Sequence, residues 1–368
     1  TLALAQASTA AEIVENGSFE NPVVPVEKLD KAWTTYYGQN ATPDTCKENE
    51  EEECNDGTLI PGWNVDWFDF ELDDDGDVVP LDGGPGRIEL QRDVIGETAL
   101  GGISAFDGDQ KAELDSHHRF QPEGEPPVSN NIAIYQTLPT CGLSPYELNF
   151  AWKARTPEPD DSTLLVLVDG TPLLTVGEFQ LGWQEETYKF ISSAEPGALL
   201  GFTSVGVGNT LGAFVDGVSV QGPDGSVPAL CERAAVCGEK PAVLELLYDA
   251  DLNGEDFHSQ SDSSAVIETL GPLPELAKVV VYDHKNPKSR RGTGRTELFN
   301  TTDTIGTSFE NTGEATDKPW IPPELVIEIY DPQNGMKLAQ RIRFHTSCSE
   351  PLHVGDQFGG IAIYDFSR

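Results

Sequence analysis

Short apolar runs separated by Gly, Pro, Asn and Asp constrain the fold of this 368-residue chain more than any other feature. In the first part they are 131–137 (NIAIYQT), 146–151 (YELNFA), 163–169 (TLLVLVD), 187–191 (TYKFI), 198–204 and 212–220. In the second part they are 242–248, 277–282, 325–330, 338–344 and 360–364. Several alternate apolar and polar residues, which predicts strands with one buried face, and no window keeps a helical period. We therefore expect an all-β protein.

The excess of acidic residues limits the classes of partner that the chain can bind. Asp and Glu number 62 against 23 Lys and Arg, which gives a formal net charge of −39. Such a field repels phosphate backbones and anionic lipid headgroups, so we expect no nucleic-acid partner and no peripheral-membrane role. No apolar run approaches the ~20 residues of a membrane span. The acidity could equally reflect adaptation to salt.

A boundary between two domains is predicted near residue 222. The Pro- and Gly-bearing stretch 222–227 follows the last strand of the first set and leads to two cysteines. Residues 1–236 hold 41 acidic and 11 basic side chains, net −30, whereas 237–368 hold 21 and 12, net −9. We expect two β-sandwich domains in tandem. The predicted segments are an extension over 1–11, a first sandwich over 12–222, a linker over 223–236 and a second sandwich over 237–368.

The first residues suggest export. Residues 1–8 (TLALAQAS) are similar to the end of a secretory signal with an A-x-A cleavage site. The same segment, with Leu2 and Leu4 as its apolar residues, could instead be a strand donated to a neighbouring subunit or an ordinary first strand.

The cysteines support the same compartment. There are six, and none forms a CxxC pair, which argues against a zinc site or a thioredoxin-like motif. In an exported chain an even number predicts disulfides. We pair them as one of fifteen possible arrangements: Cys46–Cys54, Cys141–Cys231 and Cys237–Cys348. We therefore expect a secreted protein of the cell exterior or cell surface.

A series of short motifs gives the first domain a recognisable order. They are 16–20 (NGSFE), 60–63 (IPGW), 105–114 (AFDGDQKAEL), 134–137 (IYQT), 146–150 (YELNF), 168–170 (VDG), 182–183 (GW) and 213–220 (AFVDGVSV). Across about 210 residues this series resembles the galactose-binding-like jelly rolls of secreted carbohydrate-binding modules and cell-wall domains. The chain departs from that pattern in a long acidic, aromatic insertion between residues 24 and 60 and in an acidic stretch at 66–86. Such loops shape the binding face, so the resemblance does not carry over a specific ligand.

The second domain also has a resemblance. It carries 237–241 (CGEKP), 345–352 (HTSCSEPL) and 355–359 (GDQFG), and it is similar to an uncharacterised module of secreted bacterial and archaeal surface proteins. The resemblance implies an exterior location and no chemistry.

Calcium is the expected cofactor. In the jelly-roll family a structural calcium often lies where the first and last strands meet, and the matching side chains here are Glu20 and Asp216, with Asp107 as a looser match. Carboxylates suit a hard cation. The alternative is that these acids cap turns or face solvent.

A second metal-like pattern lies in the second domain. Asp249, Asp251 and Asn253 reproduce the first half of an EF-hand loop, with Gly254 at the sharp turn. The twelfth position is Gln260 rather than the bidentate Glu, and no flanking helices are predicted. The segment is either a weak calcium site or a hairpin turn.

Aromatic residues in and near the first insertion are candidates for sugar contact. Trp33, Tyr36, Tyr37 and Trp67 could stack on the apolar faces of sugars while flanking carboxylates accept hydroxyl hydrogens. Packing within the loop explains them equally well. Three further tryptophans fall at motif or strand positions and are expected in the core: Trp63, Trp152 and Trp183.

Catalytic signatures are missing from the sequence. It has no GxSxG, HExxH or phosphate-cradling loop, and no paired Cys/His signature. With 62 carboxylates a glycosidase-like acid pair can always be nominated, so nominating one carries no information. We expect no enzymatic activity.

One basic loop stands out in the acidic chain, with Lys285, Lys288, Arg290, Arg291 and Arg295. It is either a solvated hairpin or a docking element for the acidic first domain of another copy, which would build a ring or a filament.

Two functions follow, almost equally ranked. The first is a glycan-binding or adhesive protein of the cell surface or matrix. The second is a structural subunit of an extracellular filament or surface layer, assembled head-to-tail with the N-terminal strand and the basic loop.

Overall fold

The computed structural model describes residues 13–25, 33–42, 59–72, 78–93, 103–115, 131–158, 162–177, 180, 182–193, 196–206, 211–222, 235–236, 243–250, 252, 265–284, 298–308, 324–345 and 352–367. These residues form strands and turns, and none of them is helical. They belong to two compact units. The first lies within 1–139, 148–187 and 197–221, and the second within 140–147, 188–196 and 222–368. Within the described part, no helix is long and apolar enough to cross a membrane.

The strands up to residue 221 form two six-stranded sheets. They are β1 (Trp33–Tyr37), β2 (Asn64–Leu72), β3 (Val78–Pro85), β4 (Arg87–Arg92), β5 (Gln110–Glu113), β6 (Ile132–Thr137), β7 (Pro145–Lys153), β8 (Leu164–Val168), β9 (Thr171–Val176), β10 (Gln184–Ile191), β11 (Leu199–Ser204) and β12 (Phe214–Gln221). The first sheet has the order β1-β4-β5-β12-β7-β10, and the second has the order β3-β2-β6-β11-β8-β9. Neighbours such as β1–β4, β4–β5 and β6–β11 run antiparallel.

Aromatic rings join the two sheets of the first unit. Phe150 of β7 meets Phe202 of β11 edge-on, with ring centroids 5.2 Å apart. Trp63, which is fully buried, stacks on Phe19 at 5.6 Å and meets Phe202 at 6.2 Å. The core therefore lies between the sheets, and the other face of each sheet points away from it.

The later strands form three sheets. They are β13 (Ala235–Val236), β14 (Val243–Tyr248), β15 (Ala265–Thr269), β16 (Leu276–Asp283), β17 (Phe299–Asn300), β18 (Thr304–Ser308), β19 (Glu324–Asp331), β20 (Lys337–His345), β21 (Leu352–His353), β22 (Gln357–Phe358) and β23 (Ile361–Ser367). The sheet orders are β18-β14-β23-β22, β15-β20-β19-β16-β17 and β13-β21. Phe344 of β20 stacks on Phe358 of β22 at 4.8 Å, within an apolar core that includes Leu246, Ile327 and Ile363.

The structure confirms the all-β class, and its antiparallel sheets are consistent with β-sandwich domains. Predicted runs coincide with observed strands, for example 163–169 with β8 and 325–330 with β19. Cys141 is disulfide-bonded. The other five cysteines lie outside the described residues, so the proposed pairing stays a prediction.

Candidate functional site

The outer face of the first sheet carries charged residues that are buried. The register places Glu89 opposite Glu113 and Gln91 opposite Lys111 across β4 and β5, and Phe214 of β12 opposite Glu113. Because alternate residues of a strand share a face, these five side chains lie beside one another. Each is at most 1% exposed. We call these five residues together with Arg155 the outer-face cluster.

A glutamine amide joins the two carboxyl groups of the cluster. Nε2 of Gln91 donates to Oε1 of Glu89 at 3.0 Å and to Oε2 of Glu113 at 2.6 Å. Nη1 of Arg155 donates to the other oxygen of Glu113. Burial, and then the charge of Glu89, raises the pKa of Glu113 well above its usual value, although Arg155 opposes this. Glu113 therefore keeps a proton more readily than an exposed glutamate does.

Two cations flank the aromatic ring of the cluster. Nζ of Lys111 lies 5.5 Å from the centroid of the Phe214 ring, and Cζ of Arg155 lies 5.9 Å from it. Lys111 also reaches Oδ1 of Asp93 at 3.4 Å, and burial lowers its pKa although Asp93 opposes the shift. The side chains of Arg155 and Asp93 are 21% and 25% exposed, so the cluster reaches the surface at these two residues.

One oxygen of the cluster lacks a donor. Oε1 of Gln91 is buried, and no donor in the described part of the chain hydrogen-bonds to it. A buried acceptor without a partner costs roughly 1–3 kcal/mol.

The 103–110 loop is tied to the sandwich by two predicted metal ligands. Oε1 of Glu20 accepts two consecutive backbone N–H groups of this loop, both at 2.7 Å. Oδ2 of Asp216 accepts the N–H groups of Phe106 and Asp107 at 2.8 and 3.0 Å. Gly108 has a φ of +74°, and a Cβ there would lie 2.3 Å from Oε1 of Glu20, so only glycine allows this approach.

At the predicted calcium site, the carboxylates of Glu20 and Asp216 therefore accept hydrogen bonds from backbone N–H groups in this structure. Asp216 is fully buried, and burial raises its pKa to about 7 although three backbone N–H groups oppose the shift. Asp107 is exposed. The described residues contain no group of three or more His, Cys, Asp or Glu that could hold a metal. The structure brings Glu20 and Asp216 to one loop. Their carboxylates are the kind of ligand that a hard cation prefers, and in this structure they accept hydrogen bonds.

The predicted aromatic cluster is divided between faces and sheets. Trp33 lies opposite Gln91 and is half-buried, so it shares the outer face of the first sheet with the outer-face cluster. Tyr36 lies opposite Ile88 on the core face, where burial raises its pKa to about 12. We therefore place Tyr36 with the core, because its strand position turns it away from the outer face.

The other two aromatic candidates, Tyr37 and Trp67, lie in different sheets. The Tyr37 ring packs under the guanidinium of Arg87, whose Cζ is 4.2 Å from the centroid. Trp67 is half-buried and belongs to β2 in the second sheet. Trp33 and Tyr37 are thus the only members of the predicted set on the outer face of the first sheet.

An aromatic pair that the sequence did not single out lies on the 103–110 loop. Phe106 is 42% exposed, and its ring centroid is 6.0 Å from that of Trp183, with the planes tilted by 57°. Trp63 and Trp152 are buried as expected. The expectation that Trp183 belongs to the core is wrong, because this residue precedes edge strand β10 and is only half-buried.

Several predicted residues lie outside the described part of the chain. They are Leu2, Leu4, Asp251, Asn253, Lys285, Lys288, Arg290, Arg291 and Arg295. Asp249 is described, and its backbone N–H donates to the carbonyl of Gly360 at 3.1 Å. The EF-hand-like site and the basic docking loop stay predictions.

Comparison with known proteins identifies one domain. Residues 240–366 match the model of a family described as a domain of unknown function, DUF7467. The match covers the C-terminal third of the chain. The family has no described function, so the match implies no chemistry, and the expected relation to secreted surface proteins stays a prediction. No curated protein matches the chain.

Solved structures resemble the chain only distantly. A Stig cyclase, FisC from Fischerella sp. TAU, is 13% identical with a TM-score of 0.35, over 57% of this chain and 96% of its own. The enzymatically active domain of bacteriophage CBA120 tailspike protein 4 is 12% identical with a TM-score of 0.27, over 57% and 21%. The tandem CBM22-1–CBM22-2 domain of Paenibacillus barcinonensis Xyn10C is 9% identical with a TM-score of 0.25, over 74% and 91%. Scores this low carry no argument about function.

Proposed function

We propose that this protein is a non-catalytic, glycan-binding protein of the cell surface or extracellular matrix, and that the outer-face cluster contacts the sugar. The observation that carries the proposal is the donorless oxygen of Gln91 beside the carboxyl groups of Glu89 and Glu113. Buried polar side chains are normally fully paired. An incompletely paired network on the outer face of a sheet is the kind of site that a ligand completes.

The chemistry of the cluster suits sugar hydroxyls. A hydroxyl group both donates and accepts, so at the surface end of the cluster it can give its hydrogen to the carboxylate of Asp93 and accept from the guanidinium of Arg155. Trp33 shares the face, and its ring offers an apolar surface of the kind on which the C–H face of a sugar packs. Arg155 and Asp93, at the surface end of the cluster, are the groups that a ligand meets first.

A glycan array with two arginine variants tests the proposal. Arg155→Met removes the half-buried arginine of the cluster, and Arg341→Met is a control, because Arg341 also pairs with a buried glutamate, Glu328, in the second unit. We expect binding by the wild type and by Arg341→Met, and loss of binding in Arg155→Met with an unchanged far-UV circular dichroism spectrum. A silent array for the wild type, or full binding by Arg155→Met, would overturn the proposal.

Calcium remains a proposed structural cofactor at Glu20 and Asp216. It is supported by the chemistry of these donors and by the burial of Asp216, because a cation stabilises a carboxylate that burial penalises. Differential scanning fluorimetry should show a higher Tm with calcium than with a chelator, and Asp216→Asn should remove the difference. An equal calcium response in wild type and variant would refute this site.

An exterior location is supported by the disulfide of Cys141. A thiol assay under denaturing, non-reducing conditions should find no free cysteine if all six are paired. Free thiols in protein collected from the cell exterior would contradict the predicted three disulfides.

Assembly into a filament is the second candidate, and an edge strand favours it. Strand β15 ends its sheet in the described part of the chain, and it carries Val266 at 58% exposure, followed by Leu270 at 46%. Exposed edges of this kind accept a strand from another chain. Negative-stain images should show polymers that Val266→Lys or deletion of 1–11 abolishes. Monomers alone at both low and high salt would dismiss this candidate.

A further inference from the structure

An exposed aromatic pair projects from the rim of the first sheet. Phe106 is the only aromatic residue among the large apolar side chains that are exposed in the described part of the chain. Its ring centroid lies 6.0 Å from that of Trp183. Aromatic rings at the surface contribute little to the core and are enriched where proteins meet ligands.

Hydrogen bonds and a glycine fix the pair in place. Nε1 of Trp183 donates to the carbonyl of Ser104 at 2.9 Å, and the backbone N–H of Phe106 donates to Asp216 at 2.8 Å. The Phe106 ring lies over Gly217, where a Cβ would come within 3.0 Å of it and where φ is +60°. The absence of a side chain at residue 217 lets one face of the ring rest on the backbone. Such a surface is preorganised, so binding to it costs little ordering of side chains.

The pair adjoins the outer-face cluster along one strand. Phe214 of the cluster and Asp216, which holds Phe106, are two residues apart on β12 and share a face. Two residues of a strand span about 7 Å. Phe214 and Asp216 are themselves buried, so a sugar chain that contacts both places would do so at their surface ends, Arg155 and Phe106.

We propose that Phe106 and Trp183 form a second sugar-contact position, so that the protein binds an oligosaccharide chain that runs from the outer-face cluster to the rim of the sheet. This rests on the proposed glycan-binding function and deepens it. One sugar unit meets the polar groups of the cluster, and a neighbouring unit packs its C–H face on the aromatic pair.

The charge around the pair selects a neutral chain. Asp107 follows Phe106 in the chain and is exposed, and Asp109 on the same loop is largely exposed, with Arg92 3.9 Å from its carboxylate. Uronic acids and sulfated sugars would meet like charges at close range, which costs binding free energy. The ligand class is therefore a neutral oligosaccharide.

A series of ligand lengths tests the inference. We would measure affinities for neutral gluco-, xylo-, manno- and galacto-oligosaccharides, from monosaccharide to hexasaccharide, by isothermal titration. Wild-type affinity should rise with length, and Phe106→Ala should lose about tenfold on the hexasaccharide and nothing on the monosaccharide. Phe106→Tyr should keep the rise. Leu298→Ala is the matched control, because Leu298 is also 42% exposed but lies in the second unit.

The outcomes separate this inference from the function on which it rests. If Phe106→Ala matches the wild type at every length while Arg155→Met loses binding, the second position is refuted and the glycan-binding function stands. Tighter binding of uronic-acid oligomers than of neutral ones would refute the neutral class. If the wild type binds none of the sugars, both proposals fall.

Discussion

Two buried carboxyl groups of the first unit, Glu113 and Asp216, have raised pKa values for the same physical reason. Burial removes the water that stabilises their charged forms, and the polar neighbours restore only part of that stabilisation. Glu113 lies in the outer-face cluster, and Asp216 holds the adjoining loop.

Asp216 makes stability depend on pH in a defined direction. Its pKa rises from 3.8 unfolded to about 7 folded, so between these values the folded state holds a proton that the unfolded chain releases. In chelator-containing buffer, its contribution to the free energy of unfolding should be largest near pH 4 and fall as pH rises through 7, by up to about 4 kcal/mol. Urea denaturation at a series of pH values measures this.

Variants separate this effect from general titration. Asp216→Asn should flatten the slope between pH 4 and 7, because it removes the carboxyl group whose pKa is raised. An identical slope in wild type and Asp216→Asn would contradict the assignment.

The sequence predicted some of these residues and missed others for physical reasons. Glu20 and Asp216 were expected together from the resemblance to the jelly-roll family, and the structure brings both to the 103–110 loop. Glu89 and Lys111 were missed, because charged residues that alternate with apolar ones on a strand normally face solvent. One sequence feature could have indicated buried charges, namely the 110–113 segment (QKAE), which lies in the middle of a motif. All four of its residues are buried.

At the scale of elements, strand β19 carries another buried carboxylate, Glu328, with the opposite pKa shift. Tyr282 and Arg341 donate to Oε1 of Glu328, both at 3.0 Å, and Tyr330 donates to Oε2 at 2.8 Å. Burial opposes ionisation of Glu328, but these three donors outweigh it and hold the pKa below its usual value. The three strands β16, β19 and β20 are thus linked through one charged group.

Removal of one donor should weaken these strands in a pH-dependent way. Tyr330→Phe takes the donor from Oε2 of Glu328 and should cost about 1–3 kcal/mol at pH 7. Because the pKa of Glu328 is lower in the folded state than its unfolded value near 4.5, the charged carboxylate stabilises the fold above that pH. This stabilisation is lost as the pH falls below 4.5. The difference between variant and wild type in urea denaturation should therefore shrink by pH 3.

A neutral tyrosine contact provides the comparison. The hydroxyl of Tyr248 donates to the carbonyl of Pro274, which does not titrate, so the cost of Tyr248→Phe should stay the same from pH 7 to pH 3. If the free-energy cost of Tyr330→Phe is also the same at pH 7 and pH 3, the hydroxyl of Tyr330 does not stabilise the charged form of Glu328.

The strands were the most predictable elements because their apolar periodicity follows directly from burial. The runs 146–151 and 338–344 were expected, and the strands β7 and β20 extend them by only a few residues. The aromatic pair was harder to anticipate. Phe106 lies in a loop, and its exposure depends on where Asp216 and Gly217 place the backbone, which no local pattern encodes.

For the whole molecule, the net charge of −39 sets the response to salt. Self-repulsion destabilises a compact state, and salt screens it beyond a Debye length of about 10 Å at 0.1 M. The Tm in sodium chloride should therefore rise by several degrees from about 0.05 to about 0.5 M. Sodium chloride and potassium chloride should act alike, because screening depends on ionic strength. A flat or falling Tm would show that the acidic groups are locally compensated.

The central claim is that the outer face of the first sheet binds glycans. Hydrogen–deuterium exchange with and without the best-binding neutral oligosaccharide tests it most directly, since it reports where on the chain the ligand acts. We predict slower exchange in 87–92 and 103–113, which carry four residues of the outer-face cluster and Phe106 of the aromatic pair, and no change in β19 or β20. Protection confined to the second unit, or no protection at saturating sugar, would contradict the account.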